Sequence, residues 1–280
     1  LFKKYILRNT RAKIGICIIV FFGLVAIFAP QLSPHRPMSI EFMPWERPSA
    51  AHPLGVNSFG QDIFSQLVHG ARPTMMVGIL AGLLTSFVGI LVGLLTGYKG
   101  GWVDEALMRF VDVMLALPSL ALIIVIASFV GTMNILYTVM IIGMLSWLWM
   151  ARSIRSQTLT EARREYVDAA KSLGMNDFEI MFKEILPNIV PVVTANMVMV
   201  ITMSMLTEAT MAFLGIGDPM MISWGRILAI AFDNGALFFG AWWWLLPPGL
   251  ALATLGYSFM LIGNSFLDIY SKDRGGSVKL

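Results

Sequence analysis

Cysteine, histidine and charge are all scarce in this chain, and each scarcity removes a class of protein. The single cysteine, Cys17, lies inside an apolar run, which excludes a disulfide framework and any metal cluster built on thiolates. Only 13% of the 280 residues are charged, against about 25% in soluble domains, while 57% are hydrophobic and the mean hydropathy is +0.74. These values exclude a soluble domain and leave an integral membrane protein. The basic residues form no aromatic-interleaved patch, which argues against nucleic acid as a partner. No G-x-x-x-x-G-K-[ST] phosphate loop is present, since "GYKGG" has neither the spacing nor the terminal hydroxyl, so the chain has no means of hydrolysing ATP itself. HExxH and the nucleophile elbow are missing too. His35, His52 and His69 are too scattered in sequence to argue a metal site and read as loop histidines.

What is abundant is long apolar sequence. A helix crossing the roughly 30 Å hydrocarbon core needs about 20 residues. Six segments fit: Ile14 to Leu32, Thr74 to Tyr98, Ala106 to Val130, Ile135 to Met150, Ile189 to Leu214 and Ala241 to Leu267. The first is longer than the apolar core of about 7 to 15 residues in a cleavable signal, and reads as a retained span. An all-α membrane protein with six transmembrane helices follows, with both termini on one side. With that side cytoplasmic, 16 of the 20 Lys and Arg lie inside, leaving Arg36, Arg47, Arg72 and Arg226 outside. Trp242, Trp243 and Trp244 then fall where an interfacial aromatic belt belongs. Gly78, Gly82, Gly89, Gly93 and Gly97 recur every four residues over two stretches of the second span. Such spacing lets helix backbones approach closely, and packing within the chain is favoured over a partner interface.

One stretch between the fourth and fifth spans is polar. In "TEARREYVDAAKSLG" the residues Ala162, Tyr166, Ala169 and Leu173 form a narrow apolar stripe at helical spacing. Gly174 suits a left-handed C-terminal cap, and Asn176 with Glu179 forms a capping-box pattern that restarts a helix before Pro187 interrupts it. A pair of short helices joined by a sharp turn is predicted at the membrane surface. Its alanine-rich stripe suits contact with protein better than immersion in lipid.

Within that stretch Asp168-Ala169-Ala170, Gly174 and Leu186-Pro187 stand at the spacing of a cytoplasmic motif: Glu-Ala-Ala, three residues, Gly, nine residues, Ile, one residue, Leu-Pro. Asp replaces Glu at 168, and Glu184 stands at the Ile position with Ile185 beside it. "RNTRAKIG", "HPLGVNSFGQDIFSQLVHGAR", "GYKGGWVDEALMRFVDVMLALPSL" and "TEATMAFLGIG" followed by "SWG" occur in the matching order and cover most of the chain. On these motifs the sequence resembles permease subunits of ATP-binding-cassette importers. Within them it is similar to the dipeptide, oligopeptide and nickel branch, in the subunit type that ends in C in that nomenclature.

The resemblance implies a type I importer permease fold in a prokaryotic cell membrane, with both termini cytoplasmic. It implies a tail, first span and outer segment over 1–72, a permease core over 73–268 with coupling helices at about 161–187, and a cytoplasmic tail over 269–280. Asp168, Ala169, Ala170, Gly174, Leu186 and Pro187 would couple the chain to an ATPase, with Ala169 and Ala170 permitting close approach and Gly174 setting the turn. Implied partners are a second homologous permease, two ABC ATPase subunits, an extracytoplasmic substrate-binding protein and the lipid bilayer. The chain itself would hold no cofactor, and ATP and Mg would be bound by the ATPases. Peptide is the expected solute, although the same architecture serves nickel complexes and oligosaccharides. An ion-coupled secondary transporter would call for broken helices and mid-membrane charges in two repeated halves, which the sequence lacks.

Four polar residues of the fifth span are candidates for the translocation path. Glu208 lies about 28 Å along that helix at about 1.5 Å per residue, near the outer interface, and reads as a structural hydrogen bond or a substrate contact. Asn196, Thr202 and Ser204 lie deeper, where a polar path and interhelical hydrogen bonding explain them equally well.

Overall fold

The computed structural model describes residues 9–131 and 134–275, with side chains as far as Phe266. It is a helical bundle, and no β-strand occurs among the described residues. Its elements are α1 (Thr10–Ile27), α2 (Ala29–Leu32), α3 (Ile63–Lys99), α4 (Gly101–Ala116), α5 (Ser119–Val130) and α6 (Ile135–Glu161). They continue with α7 (Glu165–Ser172), α8 (Asp177–Glu179), a π-helical turn over Ile180–Ile185, α9 (Leu186–Phe213), α10 (Trp224–Asp233) and α11 (Trp242–Gly275). Of the N-terminal basic run, Lys3, Lys4 and Arg8 lie outside the described residues, as do positions 276–280 of the expected tail.

Among the described residues five helices are long and apolar enough to cross a membrane: Thr10–Ile27, Ile63–Lys99, Ile135–Glu161, Asp177–Phe213 and Trp242–Phe266. The segment expected as the third span is not one helix. α4 and α5 meet at a bend of 89°, so a sixth crossing exists only if this broken pair counts as one. Pro118 accounts for the break, because its ring drives the preceding residue out of the helical region, and Leu117 is extended at φ −83°, ψ 138°. The first span likewise stops at Ile27, and Pro30, without an N–H, sits in the first turn of the short α2. The division at 72/73 falls inside α3, which starts at Ile63 and runs through Pro73.

α3 is the axis of the bundle, and its glycines explain how. Gly82 lies against Ile201 of α9, where an added Cβ would come within 2.8 Å of the Ile201 Cα. Gly93 lies against α6, where an added Cβ would sit 2.6 Å from the Cβ of Ile154. Real Cβ atoms do not approach backbone so closely, so α3 seats α9 along one half of its length and α6 along the other. α11 packs on α9 and α1.

The segment from Ser33 to Asp62 is irregular apart from one antiparallel bridge, Val56 with Asp62. It covers the end of the bundle where α3 begins. Trp224 is buried there, donating its indole N–H to the Leu67 carbonyl at 2.8 Å and its backbone N–H to Thr74 Oγ1 at 3.2 Å. The tryptophan triplet is not a uniform aromatic belt. Trp242 is exposed, whereas Trp243 and Trp244 are buried, Trp244 making an edge contact with Trp45.

Candidate functional site

The polar stretch after α6 folds as a helical hairpin at the opposite end of α3. α7 ends in a left-handed turn: Gly174 has φ +79°, and the Met175 N–H reaches back to the Ala170 carbonyl at 3.2 Å. Open space surrounds Gly174, so its glycine answers a backbone requirement and not a crowded one. Two residues on, Asn176 accepts the Glu179 N–H at 2.9 Å and donates its own N–H to the Glu179 carboxylate at 3.4 Å, the expected capping box.

Burial divides the hairpin into two faces. Val167 and Ala170 turn inward onto Ile180, Ile185, Ile189 and Ile154, with Leu186 packed at the edge of the same cluster. Asp168, Ala169 and Leu173 turn outward, Leu173 being 84% exposed and Phe178 66%. The predicted stripe is therefore split: Ala162 and Tyr166 are partly buried, while Ala169 and Leu173 face away from the chain. The buried stripe is Val167 with Ala170, because the turn at Gly174 brings the π-helical segment under that side of α7.

Pro187 does not interrupt the second helix, which continues from Asp177 into α9. The wide π-helical turn just before it adapts the backbone to a residue that cannot donate an N–H, and the Asn188 amide donates to the Glu184 carbonyl at 2.8 Å. In this register Ile185 is fully buried and Glu184 only half-buried. The hairpin is tied to α3 from afar in sequence: Tyr98 donates to Asp177 at 3.1 Å and Lys99 pairs with it at 2.5 Å. Lys171 lies 5.8 Å from the Tyr98 ring centroid and 3.6 Å from Asp168. At the entry to α7, Tyr166 donates to Glu161 at 3.2 Å, and Arg164 pairs with the same buried carboxylate at 2.9 Å. Burial and that carboxylate push the Tyr166 phenol up to about 12, so it remains a donor throughout the physiological range.

α9 carries the hairpin into the second feature, a groove of about 780 Å³ between the α4–α5 bend, α6 and α9. Methionines 114, 150, 199 and 203 line it together with Ser153, Asn196, Thr207 and Thr210, and its lining is uncharged among the described residues. Asn196 donates to Ser153 at 3.0 Å and to the Val192 carbonyl at 2.9 Å. Of the four path candidates only Asn196 lines this groove. Thr202 faces Gly256 of α11 and Ser204 is buried elsewhere. Glu208 is buried beside Ser223 in a separate cavity of about 80 Å³, which it shares with Thr138, Asp218 and Arg226. Sequence reasoning missed Ser153 of α6 and the i to i+3 pair Thr207 and Thr210 of α9, since no pattern links the two helices. It also missed Asp177 as the tie to Tyr98 and Lys99, since nothing local connects those positions.

The model of the binding-protein-dependent transport system inner membrane component matches residues 89–274, and that of the N-terminal transmembrane domain of oligopeptide transport permease C matches residues 2–48. The chain belongs to this family of importer permeases. It is 34% identical over 281 residues to the oligopeptide transport system permease protein OppC of Escherichia coli K12, covering 97% of this chain and 90% of that one. It is 30% identical to the dipeptide transport system permease protein DppC of Bacillus subtilis, over 93% of this chain and 81% of the relative. The DppC of Alkalihalophilus pseudofirmus is 34% identical, over 95% and 86%. As a member of the family the chain is a multi-pass inner-membrane permease subunit of an ABC importer, not catalytic alone, and it works within a complex of further subunits.

Proposed function

We propose that this permease imports peptides, di- or oligopeptides, along a path it forms with a second homologous permease, powered by two ABC ATPases and supplied by an extracytoplasmic substrate-binding protein. The hairpin end is cytoplasmic in this reading, as are both termini, and the broken α4–α5 pair is the remaining crossing. The observation that carries it is the continuity of the hairpin with the groove. One uninterrupted helix links the α7 turn at Gly174 to the Asn196, Thr207 and Thr210 wall.

The outward face of Asp168, Ala169, Leu173 and Phe178 is the surface that meets an ATPase. Small Ala169 allows close approach, Leu173 and Phe178 supply apolar area, and Asp168 offers a charge-assisted hydrogen bond. Ala170 and Leu186 act from the other side, packing the hairpin onto the head of α9, whose first turn holds the exposed Pro187. A push on the hairpin then reaches the groove through α9, closing one access and opening the other. An uncharged lining rich in flexible methionines suits a solute whose side chains vary, because it places no fixed charge opposite any of them. Asp168→Lys is expected to abolish peptide uptake into vesicles containing the two permeases and two ATPases, supplied with the substrate-binding protein, while leaving the chain in the membrane. Undiminished uptake by that variant overturns the coupling role.

A further inference from the structure

The irregular segment between α2 and α3 poses a physical problem. Connections longer than about 12 to 15 residues without regular structure are uncommon in packed proteins unless something holds or employs them. No disulfide holds this one, since Cys17 lies in α1. One junction within it is a cluster of His35, just after α2, His52, in the HPLG turn, and Asp62, the N-cap of α3. One ligand atom from each lies within 4.8 Å of the other two, and His52 Nδ1 is 3.0 Å from Asp62 Oδ1. Asp62 is fully buried and His52 is 5% exposed, while His35 is half-buried.

The surroundings are those of an oriented ligand set. Asp62 Oδ2 accepts from the Ser65 N–H at 2.8 Å and from the Ser65 hydroxyl at 2.6 Å, which fixes the carboxylate plane. The Ser65 hydroxyl accepts in turn from the His35 backbone N–H at 3.3 Å. Phe42 covers both imidazoles, with ring centroids 4.6 Å from His35 and 4.4 Å from His52. Outer contacts of this kind set the orientation and basicity of metal ligands, and an apolar wall keeps water from competing.

We infer that His35, His52 and Asp62 bind one divalent transition-metal ion of the zinc class, with water at the fourth position. Ligands at about 2.0 to 2.1 Å around a tetrahedral ion lie about 3.3 Å from one another, a spacing these atoms reach with small rotations of the half-buried His35. Two imidazoles with one carboxylate favour a borderline ion and disfavour calcium and magnesium, which take oxygen ligands. The ion takes the place of the proton in the His52–Asp62 contact. It joins positions 35, 52 and 62 at one point, so the segment is stapled without cysteine. His69, inside α3 beside Arg72 and Pro73, takes no part.

The test uses the assembled transporter, purified without a histidine tag, stripped with chelator and titrated with Co²⁺. One Co²⁺ per copy of this chain is expected, with the visible absorption of a tetrahedral site and displacement by Zn²⁺. Zn²⁺ is also expected to raise the thermal unfolding temperature of the stripped transporter. His35→Phe keeps a ring against Phe42 but removes the nitrogen. It is expected to unfold at the temperature of the stripped wild type, to weaken Co²⁺ binding at least tenfold and to lose the Zn²⁺ shift. Binding equal in wild type and His35→Phe, or no stoichiometric Co²⁺ in the wild type, overturns the site.

Discussion

The two ends of α3 each carry a long, mostly polar stretch of chain, and the two stretches are built in opposite ways. The hairpin at the Lys99 end is regular: its caps, turn and exposed ion pairs join residues a few positions apart, as in Asn176 with Glu179 or Lys183 with Glu179 at 2.7 Å. Its polar side-chain ties to α3 are exposed, from Tyr98 and Lys99 to Asp177 and from Lys171 to the Tyr98 ring, beside the buried packing of Val167, Ala170 and Ile180 in one cluster with Leu94. The segment at the Asp62 end has almost no regular structure and is fixed by contacts across the sequence. His35 reaches Ser65, Gln66 reaches the Pro37 carbonyl at 3.1 Å, and Trp45 packs on Phe239 and Trp244. One end is built from local contacts and is seated on the bundle through a single apolar face, which would suit the proposed role of passing a displacement to α9. The other is fixed at many points, which suits a surface that must keep its shape while the helices beneath it move.

Breaking the fixed end is expected to cost most. Asp62→Ala removes the cap of α3 and leaves buried His52 without its partner, each typically costing about 1 to 2 kcal/mol. A loss of about 2 to 4 kcal/mol is expected in reversible unfolding of the purified protein, with faster proteolysis between Ser33 and Asp62 and none added in the hairpin. The corresponding break at the other end is smaller. Gly174→Val forces a β-branched residue into the left-handed region at about 1 to 2 kcal/mol, whereas Gly174→Asn costs much less. Peptide uptake is expected to fall with valine and to survive with asparagine. Equal uptake by the two variants removes the turn from the mechanism.

The same contrast decides what could be read from the sequence. The hairpin was legible because caps and turns are local: Gly174 needs a positive φ and Asn176 needs Glu179 three residues later, and both signals lie within one window. The apolar helices were legible for the same reason, and the paired glycines of α3 announced close packing. What failed was register and direction. "LALP" carried the break at Leu117–Pro118, yet length and hydropathy alone merged α4 and α5 into one span. Ala169 and Leu173 share helical spacing with Ala162 and Tyr166, but only the fold of the π-helical segment decides which side of α7 is covered. The meeting of His35, His52 and Asp62 was invisible, since no periodicity links those positions. Thr202, Ser204 and Glu208 shared a helix with Asn196 but not a face, which polarity cannot reveal.

Weaker effects sharpen the comparison further. Asp177→Ala removes the contacts from Tyr98 and Lys99, both partly exposed, so about 0.2 to 1 kcal/mol of stability is at stake. Because the pair is exposed, its contribution falls as salt rises toward 1 M, where the Debye length is about 3 Å. The expected signature is functional: ATP hydrolysis continues while uptake per ATP declines, more steeply in the variant at low salt than at high salt. If uptake per ATP is unchanged, the contacts of Tyr98 and Lys99 with Asp177 play no part in transmitting motion from the hairpin.

The smallest expected effect on stability belongs to Asp168→Asn. Asp168 is exposed and its ion pair with Lys171 at 3.6 Å spans i to i+3, a contact worth less than about 0.5 kcal/mol. Among the described residues that weak, exposed pair is the one ion pair its carboxylate makes, so the unfolding transition of the variant should lie close to that of the wild type. The side chain nevertheless lies on the outward face with Ala169 and Leu173, where an ATPase would bury it. A hydrogen bond to a charged group lost at a buried interface costs about 1.5 to 3 kcal/mol, or roughly 10- to 150-fold in affinity. Titrating purified ATPase onto membranes carrying Asp168→Asn separates the two quantities. Weakened association with unchanged stability marks Asp168 as a contact to the partner, whereas unchanged association leaves it as solvent-facing charge and moves the interface to Ala169, Leu173 and Phe178.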